Sequence, residues 1–225
     1  MEEYINTVGK YAKGISLPKN KIVITDERFC FDETIVFKLN EKFWSISHDD
    51  FTIKDINGVK YFKCEGKFLS LRDRKILYDL YNQPILNMLD KLFSLRGKMN
   101  IYEGDSQEKS LLQVKPKSPI FNKKFTINFF NKKTNQNELI EMHCDFLAFK
   151  CEIYYGKKNE GAPMIAKIVQ NIKLKTVITE CNSYFVEVAA GVDTAIIVAL
   201  AICFDENRSE VTYTDGLTTI LDIFT

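Results

Sequence analysis

The chain is poor in the residues that mark the commoner functional classes. Only two histidines occur, His48 and His143, and none of the six cysteines lies in a Cys-x-x-Cys pair. Structural zinc needs four Cys or His ligands, usually in close pairs, so no metal site is expected. Six cysteines in 225 residues are also too few for a disulfide scaffold. Each is expected to be a reduced, small core hydrophobe. No apolar run approaches the ~20 residues that span a bilayer. Met1 to Gly14 lacks the apolar stretch of a signal peptide, so the expectation is an intracellular, cytoplasmic protein, peripheral to any membrane it meets. Glycine-rich phosphate loops and nucleophile-elbow motifs are missing, which gives no reason to expect a cofactor. Net charge is nearly absent too, at 31 basic against 30 acidic side chains, and that excludes a bulk nucleic-acid binder.

Enough apolar residue is present, 45%, to bury a core. The charge is unevenly spread. Residues 1–50 carry seven basic and nine acidic side chains, residues 51–135 seventeen and eight, and residues 136–225 seven and thirteen. The middle third is therefore a local positive field suited to an anionic surface. Its plainer reading is a solvated strand face whose lysines discourage edge-to-edge pairing.

Short alternating segments dominate: Lys21–Thr25, Thr34–Leu39, Phe51–Lys54 and Phe125–Phe129. Alternation of this kind reads as half-buried β-strand. Asn57-Gly58 is a hairpin signal, and turn signals recur along the chain without any Pro/Gly/Ser-rich linker. A single mainly β domain follows. A weak repeat offset by 24 residues pairs Asp55 with Asp79, Lys67 with Lys91, Ser70-Leu71-Arg72 with Ser94-Leu95-Arg96, and Arg74 with Lys98. Two copies fit successive hairpins of one curved sheet.

One segment breaks the β pattern. Thr194 to Phe204 is uncharged and apolar all round, which fits a helix buried on every side. Eleven residues are too few to cross a membrane, so the burial must be in protein. Asp193 has the chemistry of its N-cap, and Ile196, Ile197, Leu200 and Phe204 supply core volume. A greasy helix after many short strands points to a barrel too wide to fill itself and plugged by that helix.

The motifs Phe51–Gly58, Phe68-Leu69-Ser70-Leu71-Arg72-Asp73, Lys91-Leu92-Phe93-Ser94-Leu95-Arg96, Met99–Gly104 and Gly191-Val192-Asp193-Thr194-Ala195, in that order, resemble the LURP-one-related family. The resemblance implies a tubby C-terminal-like fold shared with phospholipid scramblases: a closed antiparallel barrel of about twelve strands around a central hydrophobic C-terminal helix, about 193–204. It sets the domain at 34–206, with extensions at 1–33 (carrying a strand at Lys21–Thr25) and 207–225. It implies no enzymatic activity and supplies no catalytic motif.

Candidate chemistry is sparse. In His143-Cys144-Asp145 neighbouring side chains point to opposite faces of a strand, so no His–Cys pair is expected. Ser47-His48-Asp49-Asp50 reads as a turn. Asp205-Glu206-Asn207 with Glu210 offers fewer oxygens than calcium requires. The repeated basic residues Lys67, Arg72, Arg74, Lys91, Arg96 and Lys98 are the best candidates, as a rim for anionic phospholipid or phosphoinositide head groups. The rival expectation is a protein-interaction adaptor that meets its partner through the terminal extensions. A small-ligand barrel would need an open interior, and the plugging helix argues against one.

Overall fold

The computed structural model describes residues 14–40, 51–67, 74–90, 99–114, 122–145, 150–171 and 183–204. Twelve strands form one antiparallel sheet: β1 (Ile35–Asn40), β2 (Phe51–Asp55), β3 (Lys60–Lys67), β4 (Arg74–Tyr78), β5 (Pro84–Asp90), β6 (Met99–Glu103), β7 (Ser110–Val114), β8 (Asn122–Asn131), β9 (Gln136–Asp145), β10 (Lys150–Tyr155), β11 (Met164–Asn171) and β12 (Ser183–Val188). Their order is β7-β6-β5-β4-β3-β2-β1-β12-β11-β10-β9-β8. Consecutive strands are neighbours except where β12 returns to pair with β1, Ile35 opposite Val188 and Asn40 opposite Ser183. β7 and β8, the two ends of that order, lie alongside each other, so the sheet curls into a nearly closed barrel.

Period-two alternation decides what fills it. Ile35, Phe37 and Leu39 of β1, Phe125, Ile127 and Phe129 of β8, and Tyr184, Val186 and Val188 of β12 join one core cluster. The same cluster takes in the single α-helix among the described residues, α1 (194–204), in which every residue from Ala195 to Phe204 is at most 3% exposed. The uniform hydrophobicity of this stretch thus has its physical counterpart: α1 meets barrel wall on every side.

Asp193 starts the helix and also fastens the segment before β1. Oδ1 accepts from the Ile196 amide at 3.3 Å, while the Ile197 amide donates to its carbonyl. Oδ2 accepts from the Ile24 amide (3.0 Å), the Thr25 amide (2.7 Å) and the Thr25 hydroxyl (2.8 Å). Thr194 Oγ1 donates to the Phe29 carbonyl. Gly191, at φ 75°, donates to Phe31 and accepts from Ile22; a side chain would be strained in that left-handed conformation. Asp193 is fully buried. Desolvation pushes its carboxyl above the usual range, and the donors from Thr25, Ile24 and Ile196 oppose that rise.

Lys21–Thr25 is not the strand its alternation suggested. Ile22, Val23 and Ile24 are all buried, and Ile22 makes only an isolated parallel bridge to Val192. The amides that a ladder would use are taken by side chains instead, Val23 by Asn131 Oδ1 and Ile24 by Asp193. Ile22, Ile24 and Phe29 belong to the same core cluster as the helix, so residues 21–29 line the mouth where α1 enters.

Asp193→Ala removes the cap and three anchoring acceptor contacts together. A loss of about 3 kcal/mol or more in chemical denaturation is expected, since hydrogen bonds to a charged group contribute about 1.5–3 kcal/mol each and a helix cap about 1 kcal/mol. A loss within the range of a cap alone would show that the N-terminal segment is not held through this carboxylate.

Candidate functional site

The 24-residue repeat has a structural basis. Asp55 ends β2, Asp79 directly follows β4, and each caps the turn that comes next. Asp55 Oδ1 accepts from the Asn57 and Val59 amides at 2.8 and 2.9 Å. Asp79 Oδ1 accepts from the Tyr81 and Gln83 amides, both at 2.9 Å. In each turn the Asp amide also donates to the carbonyl four residues on, Val59 or Gln83. Two hairpins, β2–β3 and β4–β5, are therefore built alike and stand side by side. Their tips carry Val59 (54% exposed), Leu80 (54%) and Tyr81 (82%). Arg28 reaches from the N-terminal segment to the buried Asp79 at 2.9 Å.

At the opposite end of these hairpins the register sets Lys67 opposite Arg74, Arg74 opposite Leu89, and Asp90 opposite Met99. Lys67 closes β3 and Arg74 opens β4. Arg72, Lys91, Arg96 and Lys98 lie outside the described residues, as do Ser47–Asp50 and the acidic group Asp205–Glu210. Arg74 has an unusual environment: its Nε and Nη2 are buried without a hydrogen-bond partner. Glu65, an acid on the neighbouring strand β3, binds Lys63 Nζ at 2.7 Å and Tyr78.

Among the described residues of the basic third, several cations are paired. Lys132 and Lys109 meet Glu103, Lys133 meets Glu27, and Lys124 meets Glu141. A row of polar side chains crosses five strands in register, Lys124, His143, Glu152, Lys167 and Glu187, and its last three members alternate in charge. Along it Lys167 Nζ lies 2.6 Å from Glu187. Its densest part surrounds two carboxylates. Glu141, 1% exposed, contacts Lys124 Nζ (2.8 Å) and His143 Nε2 (3.1 Å) and accepts from the Lys158 amide (3.1 Å). Glu152 receives Lys158 Nζ and the Tyr154 hydroxyl, both at 2.7 Å, and Lys150 Nζ at 3.1 Å.

His143 and Cys144 do face opposite ways. Cys144 points into the core, where β9–β10 register sets it against Cys151, Cα atoms 4.0 Å apart, as a disulfide. That departs from the expectation of six reduced thiols. Sequence spacing could not show which residues the antiparallel register would oppose. Cys30, Cys64 and Cys203 are buried and stand outside any disulfide; Cys181 lies outside the described residues. Among the described residues no group of three or more His, Cys, Asp or Glu is placed to hold a metal ion.

Burial alone would raise the carboxyls of Glu141 and Glu152, but their donors overcome it and hold both at about 2, below the usual 4.5. A depressed carboxyl stabilises the fold above its unfolded value and loses that contribution as the pH falls through the folded one. Each therefore contributes up to about 3 kcal/mol, present above pH 4.5 and lost towards pH 2. The urea midpoint should fall steeply across that interval, and Glu141→Gln should flatten the slope. An unchanged slope in the variant would remove Glu141 from the acid response.

A sequence model of the LURP-one-related family matches residues 35–205. The chain is similar to LURP-one-related 10 of Arabidopsis thaliana, 25% identical over 84% of this chain and 98% of that protein. It is also similar to LURP-one-related 15 of the same plant, 24% identical over 92% and 95% of the two chains. An X-ray structure of an Arabidopsis thaliana protein superposes with a TM-score of 0.58 at 20% identity, covering 83% of this chain and 98% of the other, a likeness of fold. The barrel is compatible with the tubby-like architecture. Ordered motifs, a match over most of the length and a shared barrel with an apolar C-terminal helix lead to one conclusion: this chain belongs to the LURP-one-related family.

Proposed function

We propose that the protein is a non-enzymatic intracellular module that binds anionic phospholipid or phosphoinositide head groups at the end of the barrel where β3 closes and β4 opens. The residues proposed to carry it are Lys67, Arg72, Arg74, Lys91, Arg96 and Lys98. The supporting observation is the strand register. Lys67 faces Arg74, Arg74 faces Leu89 on β5, and Asp90 faces Met99, so the chain leaves β3 and β5 at one end and re-enters β4 and β6 there. The ends of β3 and β5 and the starts of β4 and β6 thus share one end of the barrel, which supports assigning the basic residues to it. Glu65, the acid within this neighbourhood on β3, is already engaged by Lys63, which leaves Arg74 its charge for an external anion. No described helix is long and apolar enough to cross a membrane, and the reading requires only surface contact.

Each cation close to an anionic leaflet contributes about 1 kcal/mol. Replacing Arg72, Arg74, Arg96 and Lys98 with Glu should therefore reduce sedimentation with phosphatidylserine- or phosphoinositide-containing vesicles by at least roughly tenfold. Wild-type protein should ignore pure phosphatidylcholine and lose anionic binding at high salt. Equal sedimentation with neutral and anionic vesicles would refute the proposal.

A second reading, an adaptor scaffold, is favoured by the opposite end. Val59, Leu80 and Tyr81 project from adjacent, rigidly capped tips, and exposed apolar clusters of this kind mark contact surfaces. Deleting residues 1–33 would not test it cleanly, because Ile22, Ile24 and Phe29 lie in the core. Leu80→Ser with Tyr81→Ser leaves that core intact. A partner held by wild type in affinity capture should be lost from this variant; retention would argue against the tips.

A further inference from the structure

We infer that Cys144 and Cys151 form a reversible redox clasp: as a disulfide they hold the β9–β10 strand end shut, and as two thiols they let it open, by exchange with a small-thiol couple such as glutathione and its disulfide. This rests on the intracellular part of the proposed function for its setting, and on strand register for its chemistry.

The antiparallel ladder supplies the pair. Cys144 on β9 stands directly opposite Cys151 on β10, Cα atoms 4.0 Å apart. Both point into the core, 3% and 0% exposed. The flanking rungs, Asp145 opposite Lys150 and His143 opposite Glu152, belong to the same ladder. Backbone pairing therefore apposes the two sulfurs whether or not a bond joins them, so one fold serves both states and reoxidation needs no chain search. A disulfide stabilises a fold most when it closes a long loop. This one joins residues only seven apart in the chain, so a permanent cross-link gains comparatively little here. Inside cells thiols are kept reduced, and a disulfide that forms there is transient, catalytic or redox-sensing. Catalytic exchange needs an exposed thiolate of low pKa. Two cysteines buried among apolar side chains do not supply one, which leaves sensing.

Access comes from the strand end. Only the rung of Asp145 and Lys150 separates the pair from the point where β9 ends and β10 begins. Local opening of an end costs far less than global unfolding, and it brings the sulfurs within reach of a small thiol. A glutathione thiolate then attacks one Sγ, the S–S bond breaks, and the other cysteine leaves as a thiolate that takes up a proton. A second glutathione thiolate attacks the mixed disulfide, releasing oxidised glutathione and the remaining cysteine, which is protonated in turn. Two glutathiones lose two electrons and the protein disulfide gains them; oxidation is the reverse. Two unbonded sulfurs need more room than a bonded pair. In a close-packed interior that room is found at the nearby strand end, so reduction loosens the last rungs.

The test equilibrates the full wild-type chain in glutathione buffers from strongly reducing to strongly oxidising. After an acid quench and unfolding, alkylation and mass spectrometry read the thiol fraction at each cysteine, and hydrogen exchange is measured on the two end forms. Cys144 and Cys151 should change together, with the midpoint inside the range of the buffers. Amides of residues 143–145 and 150–152 should exchange at least roughly tenfold faster in the reduced form, with those of β1 unchanged. Cys144→Ala and Cys151→Ala should each exchange like the reduced form in every buffer. A bond that survives the most reducing buffer is a permanent cross-link, and two thiols in the most oxidising buffer are no pair at all; either result overturns the clasp, as does equal exchange in the two forms. Vesicle sedimentation is scored separately. A reversible bond in a protein that ignores anionic vesicles keeps the clasp and overturns the head-group reading, whereas anionic-vesicle binding with a permanent bond does the opposite.

Discussion

The fold depends on one carboxylate at the point where the chain turns from sheet to helix. Asp193 must satisfy the first turn of α1 in a place water does not reach, and it accepts from four donors, three of them on Ile24 and Thr25. A twelve-strand barrel is too wide for its own side chains to fill, and an all-apolar helix cannot stand in water. Each is the other's solution. Asp193 fixes their relative position and ties the chain ahead of β1 to the same point.

That arrangement makes the two ends of the barrel different. Around Asp193 lie the capped turns after Asp55 and Asp79, the segment 21–29 across the mouth, and Asn131, which bonds Val23, Lys21 and Glu138. Nearly every polar group there has an internal partner. At the far end of β4, Arg74 has donors with none.

The outer wall follows a different rule. Glu152, Lys167 and Glu187 alternate in sign across β10, β11 and β12, and Glu141 and Glu152 each have three donors. Among the described residues, part of the positive charge of residues 51–135 is neutralised by ion pairs. The +9 excess of residues 51–135 overstates the free positive field. What matters for an anionic ligand is the subset of cations that the register leaves without an acid.

The helix, its cap, the many short strands and the twin hairpins could be read from residue order alone, because each follows from local periodicity or from a turn residue's own hydrogen bonding. Asp55 and Asp79 act within four residues of themselves, and α1 announces itself by having no polar face. Other features depended on register, which sequence does not encode locally. Cys144 meets Cys151, Glu65 goes to Lys63 and Tyr78 rather than to Arg74, and Lys21–Thr25 loses its ladder amides to Asp193 and Asn131. Each outcome pits partners far apart in the chain, or on different strands, against one another. Only the closed three-dimensional arrangement decides which donor reaches which acceptor first.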